Sequence, residues 1–432
     1  MTPSRTEVVP FLAINAPPWY SGRWRHALAL VGLAAAATLL FAQVLDTGFW
    51  SPEDVGELSR VVEAQARGEE PFSFIPKLAG GYPTNPVFAL EYGLFGMQAR
   101  SYYILNLIIH VLNSWIAFAL VRSLLHDGRG AWMAALMFAV GVGSYGKNLM
   151  FAVGISSLLY AMVVLSGTLL YVYNEQKNAG RPVGKYAVAF FLVFLSSLFM
   201  RGGTFSLLAS CTFYNFFFRA ERRRRVLHTI LAVCLGITAA AVLLRLALGA
   251  PNDAGAVDPS AFLVNLPRYL VLMAFPIQHS ELLSSASGFV RWLYAMAPYI
   301  RVLVGLTLLS YSIFGIIFGN RAIRFYIGWI YVMVLPFAVF RYPADWLNLR
   351  FLYLVSLGFC VLLTSGALYV ARLLAHRGLR RFVPFAVPLF YVMLSIVLVT
   401  TLDAKNERLA ARTDLAALQA LRQQAGAPEI PP

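Results

Sequence analysis

Glu53 and Asp54, two neighbouring carboxylates, stand in the stretch FWSPEDVGELSR from Phe49 to Arg60, directly after an apolar run long enough to cross a bilayer. A carboxylate so close to a membrane boundary is partly desolvated and suited to act as a general base on a hydroxyl. The same residues also have a structural use. Ser51 is a natural N-cap, Pro52 suits the first helical position, and Ser51-x-x-Asp54 has capping-box spacing. Acids in a first turn complement the helix dipole. Val55, Leu58 and Val62 then line one face and Gly68 ends the helix, which describes an amphipathic helix lying on the outer leaflet. The two uses are compatible, because a helix N-terminus is a rigid mount for a catalytic acid.

Other reactive residue types are scattered. Cys211, Cys234 and Cys360 all sit inside apolar runs, with neither disulfide nor thiolate-metal spacing, and the six histidines form no HxxxH or HExxH pair. The residues indicate no metal centre. Of the 432 residues 59% are hydrophobic and only 13% charged, too few for a water-facing surface. An all-α polytopic membrane protein follows, with eleven spans expected near 27–45, 101–124, 130–146, 149–173, 186–200, 203–218, 227–248, 300–318, 325–340, 351–371 and 382–402. The run Ala27 to Leu45 has the basic flank of a signal peptide, but its length and the lack of a small-x-small cleavage site make it a retained span. Phe262 to His279, broken by Pro267, Arg268 and Pro276, reads as a helix at the outer interface.

Charge orients this array. With the N-terminus in the cytoplasm, the inner segments carry the entire net charge of +15 and the remaining segments balance to zero, as the positive-inside rule requires. The basic run RAERRRR is then a stop between two spans facing anionic lipid, and nucleic acid is excluded as a partner. The chain divides into a cytoplasmic segment (1–26), a transmembrane domain (27–402) and a short extracytoplasmic tail (403–432) without repeats.

The stretch Gly80 to Leu125, GGYPTNPVFALEYGLFGMQARSYYILNLIIHVLNSWIAFALVRSLL, resembles the GT-C superfamily of membrane glycosyltransferases. It is similar to the group that includes transmembrane O-mannosyltransferases with tetratricopeptide repeats. That group has a paired acid after the first span, a juxtamembrane FALDYxLFG segment, and a span reading YHLxNLLLHxxN. Here Phe88 to Gly96 reads FALEYGLFG, and Asn106, His110 and Asn113 fall in the matching positions. RFLYLVSLGFC, Arg350 to Cys360, looks like the family's RYLYLPSxGFC, and FFLVFLSSLFMRGGTFSLLASCTFYNFFFRAERRRR is similar to its span with a Lys-Glu pair and a basic stop. The likeness covers most of 27–375 and is strongest at 86–125 and 350–360.

The resemblance implies a GT-C-like fold with juxtamembrane helices in the first and the seventh-to-eighth span loops. It implies an enzyme of the inner membrane that takes a sugar from a polyprenyl-phosphate carrier on the outer face and transfers it to a protein or glycolipid acceptor. On that basis Asp54, with Glu53, is the general base, while Arg350, with Arg201 and Lys147, holds the donor phosphate. Glu91, Tyr92, Asn106, His110, Tyr353 and Asp345 are further cleft candidates. Membrane lipid and the lipid-linked sugar are the implied partners. No tightly bound cofactor is expected, and a divalent metal is allowed but not indicated.

Each assignment has a plainer counterpart. An arginine at a span end snorkels to lipid phosphate; Asn106, His110 and Asn113, at i, i+4 and i+7, share the stripe that holds a neighbouring helix; Glu91 pairs with a nearby arginine. The chain also departs from the family. Val140 to Lys147 replaces an HPxHxE-type segment, Arg201-Gly202 replaces Lys-Glu, Tyr102-Tyr103 replaces Tyr-His, and Leu349 replaces an acid. A non-catalytic partner or lipid-glycan-binding subunit of the same fold is therefore the second reading. Against a transporter or flippase, the sequence has no inverted repeat and no paired broken helices.

Overall fold

The computed structural model describes residues 23–46, 48–49, 52–66, 86–141, 147–177, 185–198, 203–218, 232–236, 260–274, 288–339, 349–374 and 376–398, with positions 420 and 423. Among them there is no strand. In chain order the helices are α1 (Arg23–Phe41), α2 (Pro52–Ala66), α3 (Pro86–Phe95), α4 (Ala99–Leu125), α5 (Gly128–Val140), α6 (Ile155–Lys177), α7 (Lys185–Ser197), α8 (Gly203–Phe218), α9 (Ala261–Ala274), α10 (Gly288–Phe318), α11 (Arg321–Ala338), α12 (Leu352–Leu373) and α13 (Arg377–Leu398). Short 3-10 turns, Ala42–Asp46, Ala152–Gly154 and Leu349–Phe351, follow α1 and precede α6 and α12.

Five helical stretches are long and apolar enough to cross a bilayer: Ala99–Leu125, Ala152–Gln176, Pro298–Phe318, Arg321–Ala338 and Leu352–Leu373. Shorter apolar helices such as Gly128–Val140 and Lys185–Ser197 accompany them. Their outward faces are bare hydrocarbon: Val302, Leu303 and Leu306 on α10 and Phe382, Phe385 and Phe390 on α13 are all more than half exposed. Water would not tolerate so continuous an apolar surface, and lipid does. The protein is a multi-pass, all-α membrane protein.

α4, α5, α6 and α12 form its centre, α1 packing on α4 and α5, and α8, α9 and α10 on α11. α11 and α12 approach closely because Gly358 has no side chain: a Cβ there would lie 2.9 Å from the carbonyl oxygen of Tyr326 and 2.7 Å from Ile330. Trp329 Nε1 donates across the same seam to the Leu354 carbonyl at 3.0 Å.

The polar stripe of α4 faces this centre. Asn106, His110 and Asn113 are completely buried. His110 Nε2 lies 2.9 Å from the Ala139 carbonyl, which can only accept, so Nε2 carries the hydrogen. Nδ1 then accepts from the Tyr353 hydroxyl at 2.7 Å, and that hydroxyl and the Leu158 carbonyl take the two Asn113 amide hydrogens. One network thus ties α4 to α5, α6 and α12. His110→Leu leaves the Ala139 carbonyl orphaned and is expected to lower stability by about 1–3 kcal/mol, read as a lower midpoint in thermal unfolding of the purified protein.

Several boundaries differ from the sequence reading. α2 begins at Pro52 as expected, but Val55, Leu58 and Val62 are buried against protein rather than laid on lipid. α9 continues through Pro267, and α10 starts at Gly288 and runs through Pro298. Proline costs a membrane helix little where neighbouring helices hold it, and Asn265 of α9 does so by donating to the Ala338 carbonyl at 3.0 Å. The helix expected over 130–146 ends at Val140. Ser51, Gly68, most of the expected span 227–248 and nearly all of the tail lie outside the described residues.

Candidate functional site

The two acids that open α2 point in different directions. Successive residues on a helix are about 100° apart, so Asp54 shares the face of Leu58 and Val61 while Glu53 shares that of Glu57 and Arg60. Asp54 is fully buried; Glu53 has 39% of its side chain exposed.

Asp54 meets the start of α6. Phe151 is extended (φ −110°, ψ 138°), the Ala152–Gly154 turn follows, and Asp54 Oδ1 accepts from the Val153 N–H at 2.9 Å. The first N–H groups of a helix have no partner of their own, and a carboxylate satisfies both the missing bond and the dipole. From the other side Asn106 Nδ2 donates to the Phe151 carbonyl at 2.9 Å. Gly154 completes the turn, because a Cβ at that position would collide with the backbone carbonyl of Asn148.

Arg350 arrives from the far end of the sequence, in the turn before α12. Its guanidinium forms an ion pair with Glu53 and lies over the Phe151 ring, 5.3 Å from the centroid. Its carbonyl accepts from Asn148 Nδ2 at 3.1 Å, and the next residue, Phe351, stacks on Phe337 at 4.0 Å with planes 6° apart. The arginine is thus held at its backbone and at its guanidinium, with 12% of its side chain exposed. A cation held this way is suited to a phosphate, which a guanidinium grips through two parallel N–H bonds.

Glu91 lies on α3, which packs against α2 and α4. It is 2% exposed, and among the described residues neither of its oxygens has a hydrogen-bond partner. The expected arginine partner is therefore not made among the described residues. Burial, and then the charge of Asp54, push its carboxyl up to about 9. Its neighbour Tyr92 is partly buried, which pushes that phenol up as well.

Glu53, Asp54 and Arg350 are therefore brought together, with Asn106 beside them through Phe151 and Glu91 within electrostatic reach of Asp54. His110 and Tyr353 belong instead to the core network of α4 and α12. Lys147 opens the four-residue helix Lys147–Met150, next to Asn148. Arg201 and Asp345 lie outside the described residues. Among the described residues no three His, Cys, Asp or Glu side chains cluster as metal ligands.

No family model matches the chain, and no curated protein matches it. Its site rests on geometry alone. Asn148, Phe151, Val153 and Gly154 are the parts of it that sequence reasoning missed. Asn148, a buried amide in the apolar run NLMFAVG, was the one visible signal.

Proposed function

We propose that the protein is a GT-C-like glycosyltransferase that moves a sugar from a polyprenyl-phosphate carrier to an acceptor hydroxyl on the outer face of a bacterial-type inner membrane. In this reading the chain has eleven spans, a cytoplasmic N-terminus and an extracytoplasmic C-terminus. The observation that carries it is the meeting of Arg350 with Glu53 beside Asp54, at the junction where α2, α6 and α12 begin. These residues supply what the reaction needs. The carrier phosphate displaces Glu53 from Arg350, whose charge stabilises the phosphate as a leaving group. Asp54 takes the acceptor's proton as its oxygen attacks the anomeric carbon.

A second reading, a non-catalytic lipid-glycan-binding subunit, draws on the complete burial of Asp54 and its bond to Val153, a sufficient structural reason for the acid. Both readings expect polyprenyl phosphate to copurify with the protein, detected by mass spectrometry of extracted lipid. Only the transferase reading expects a new glycosidic bond when the lipid-linked sugar and acceptors are supplied in liposomes. Carrier lipid without product supports the binding subunit, sugar translocated without a new bond supports a transporter, and neither lipid nor product removes both of the first two readings.

A further inference from the structure

Glu91 is held where a carboxylate is poorly served. Tyr102 of α4 holds α3: its hydroxyl donates to the Gly96 carbonyl at 2.8 Å, and its ring meets those of Phe88 and Phe95 at 5.4 and 5.7 Å. Among the described residues α3 packs against α2, α4 and α6. Asp54 on α2 and Tyr102 on α4 interact electrostatically with Glu91, and Tyr92 with Tyr102; among the described residues no charge on α6 acts on Glu91.

Two carboxylates in one desolvated corner do not both ionise. Asp54 has the stronger claim on the charge, because it receives the Val153 N–H at the positive end of a helix. Among the described residues Glu91 receives no donor at either oxygen. We propose that Asp54 and Glu91 form one acid–base unit with a single negative charge, in which Glu91 is the positioning residue that holds the proton and Asp54 carries the charge.

The charge assignment stands by itself; its catalytic meaning rests on the transferase reading. There the acceptor O–H gives its proton to Asp54 while its oxygen bonds to the anomeric carbon. The bond from that carbon to the carrier phosphate breaks, and the electron pair leaves on the phosphate. A second ionised carboxylate would repel the anionic donor, and a neutral Glu91 does not.

Infrared difference spectroscopy of the full-length protein in nanodiscs tests the assignment without any transfer assay. At neutral pH the wild type is expected to show a protonated-carboxyl C=O band that Glu91→Gln lacks and that fades as pH rises through about 9. Asp54→Asn removes the neighbouring charge, so the band should fade at lower pH in that variant. Thermal unfolding gives an independent measure. The folded protein keeps this proton between pH 4.5 and about 9 while the unfolded chain has lost it, so wild-type stability falls as pH rises through that window. Glu91→Gln should lack the fall. No band difference between wild type and Glu91→Gln at neutral pH, or an unmoved titration in Asp54→Asn, overturns the proposal. Neither result depends on whether sugar is transferred, so this unit and the transferase reading fail separately.

Discussion

Asp54→Asn should lower the rate of sugar transfer by about 10²–10⁴-fold while the protein stays folded in the membrane. The contrast within one side chain makes this substitution informative. An asparagine oxygen still accepts the Val153 N–H that Asp54 Oδ1 accepts at 2.9 Å, so the start of α6 keeps its cap. An amide takes no proton at neutral pH, so the base is gone. Asp54→Ala removes both functions. It orphans a buried N–H, and its additional cost is about 1–3 kcal/mol of stability, seen as a lower unfolding midpoint that Asp54→Asn does not share. Single-turnover transfer from the lipid-linked donor, measured beside thermal unfolding, separates the two. An Asn variant that transfers at the wild-type rate, with an Ala variant that is merely less stable, would reduce Asp54 to a helix cap.

That contrast also marks how far the sequence could be read. The paired acids were visible from residue type, and their different fates were implicit in helical spacing: Asp54 falls in line with Leu58 and Val61, and Glu53 with Glu57 and Arg60, which pair with each other at 2.7 Å. The membrane-spanning all-α class was legible because lipid demands long apolar helices. The stripe Asn106, His110 and Asn113 announced a buried face, and the structure gives that face its partners on three other helices. Apart from the Asn148 amide, what escaped was built from backbone. Val153 contributes an N–H, Phe151 a carbonyl, Arg350 another carbonyl, and Gly154 only the lack of a Cβ. Carbonyls belong to every residue type and N–H groups to all but proline, so no pattern of side chains signals them. Likewise Pro267 looked like a break because the cost of a proline is local, while the packing that offsets it comes from helices distant in sequence.

Arg350→Ala is expected to weaken binding of the polyprenyl-phosphate donor by about 2–5 kcal/mol, the loss found when one partner of a buried charge pair is truncated. That is about 30-fold or more in dissociation constant. The fold should survive, because the groups that hold this turn are not in the guanidinium: Asn148 bonds the Arg350 carbonyl, and Phe351 stacks on Phe337. Arg350→Lys keeps a charge but loses the planar fork and its seat over Phe151, and should recover only part of the affinity. Glu53→Gln tests the other half of the pair. With Glu53 partly exposed, the ion pair contributes only about 0.2–1 kcal/mol to stability. Its removal frees Arg350 from a competitor, so the donor should bind more tightly than to the wild type. In an Arg350→Ala background the same substitution should have no effect on donor affinity, because no guanidinium is left to release. Calorimetric titration of the four proteins with one donor closes the cycle. If Arg350→Ala binds the donor as the wild type does, or if Glu53→Gln acts equally in both backgrounds, the arginine is an anchor for α12 and the phosphate is held elsewhere.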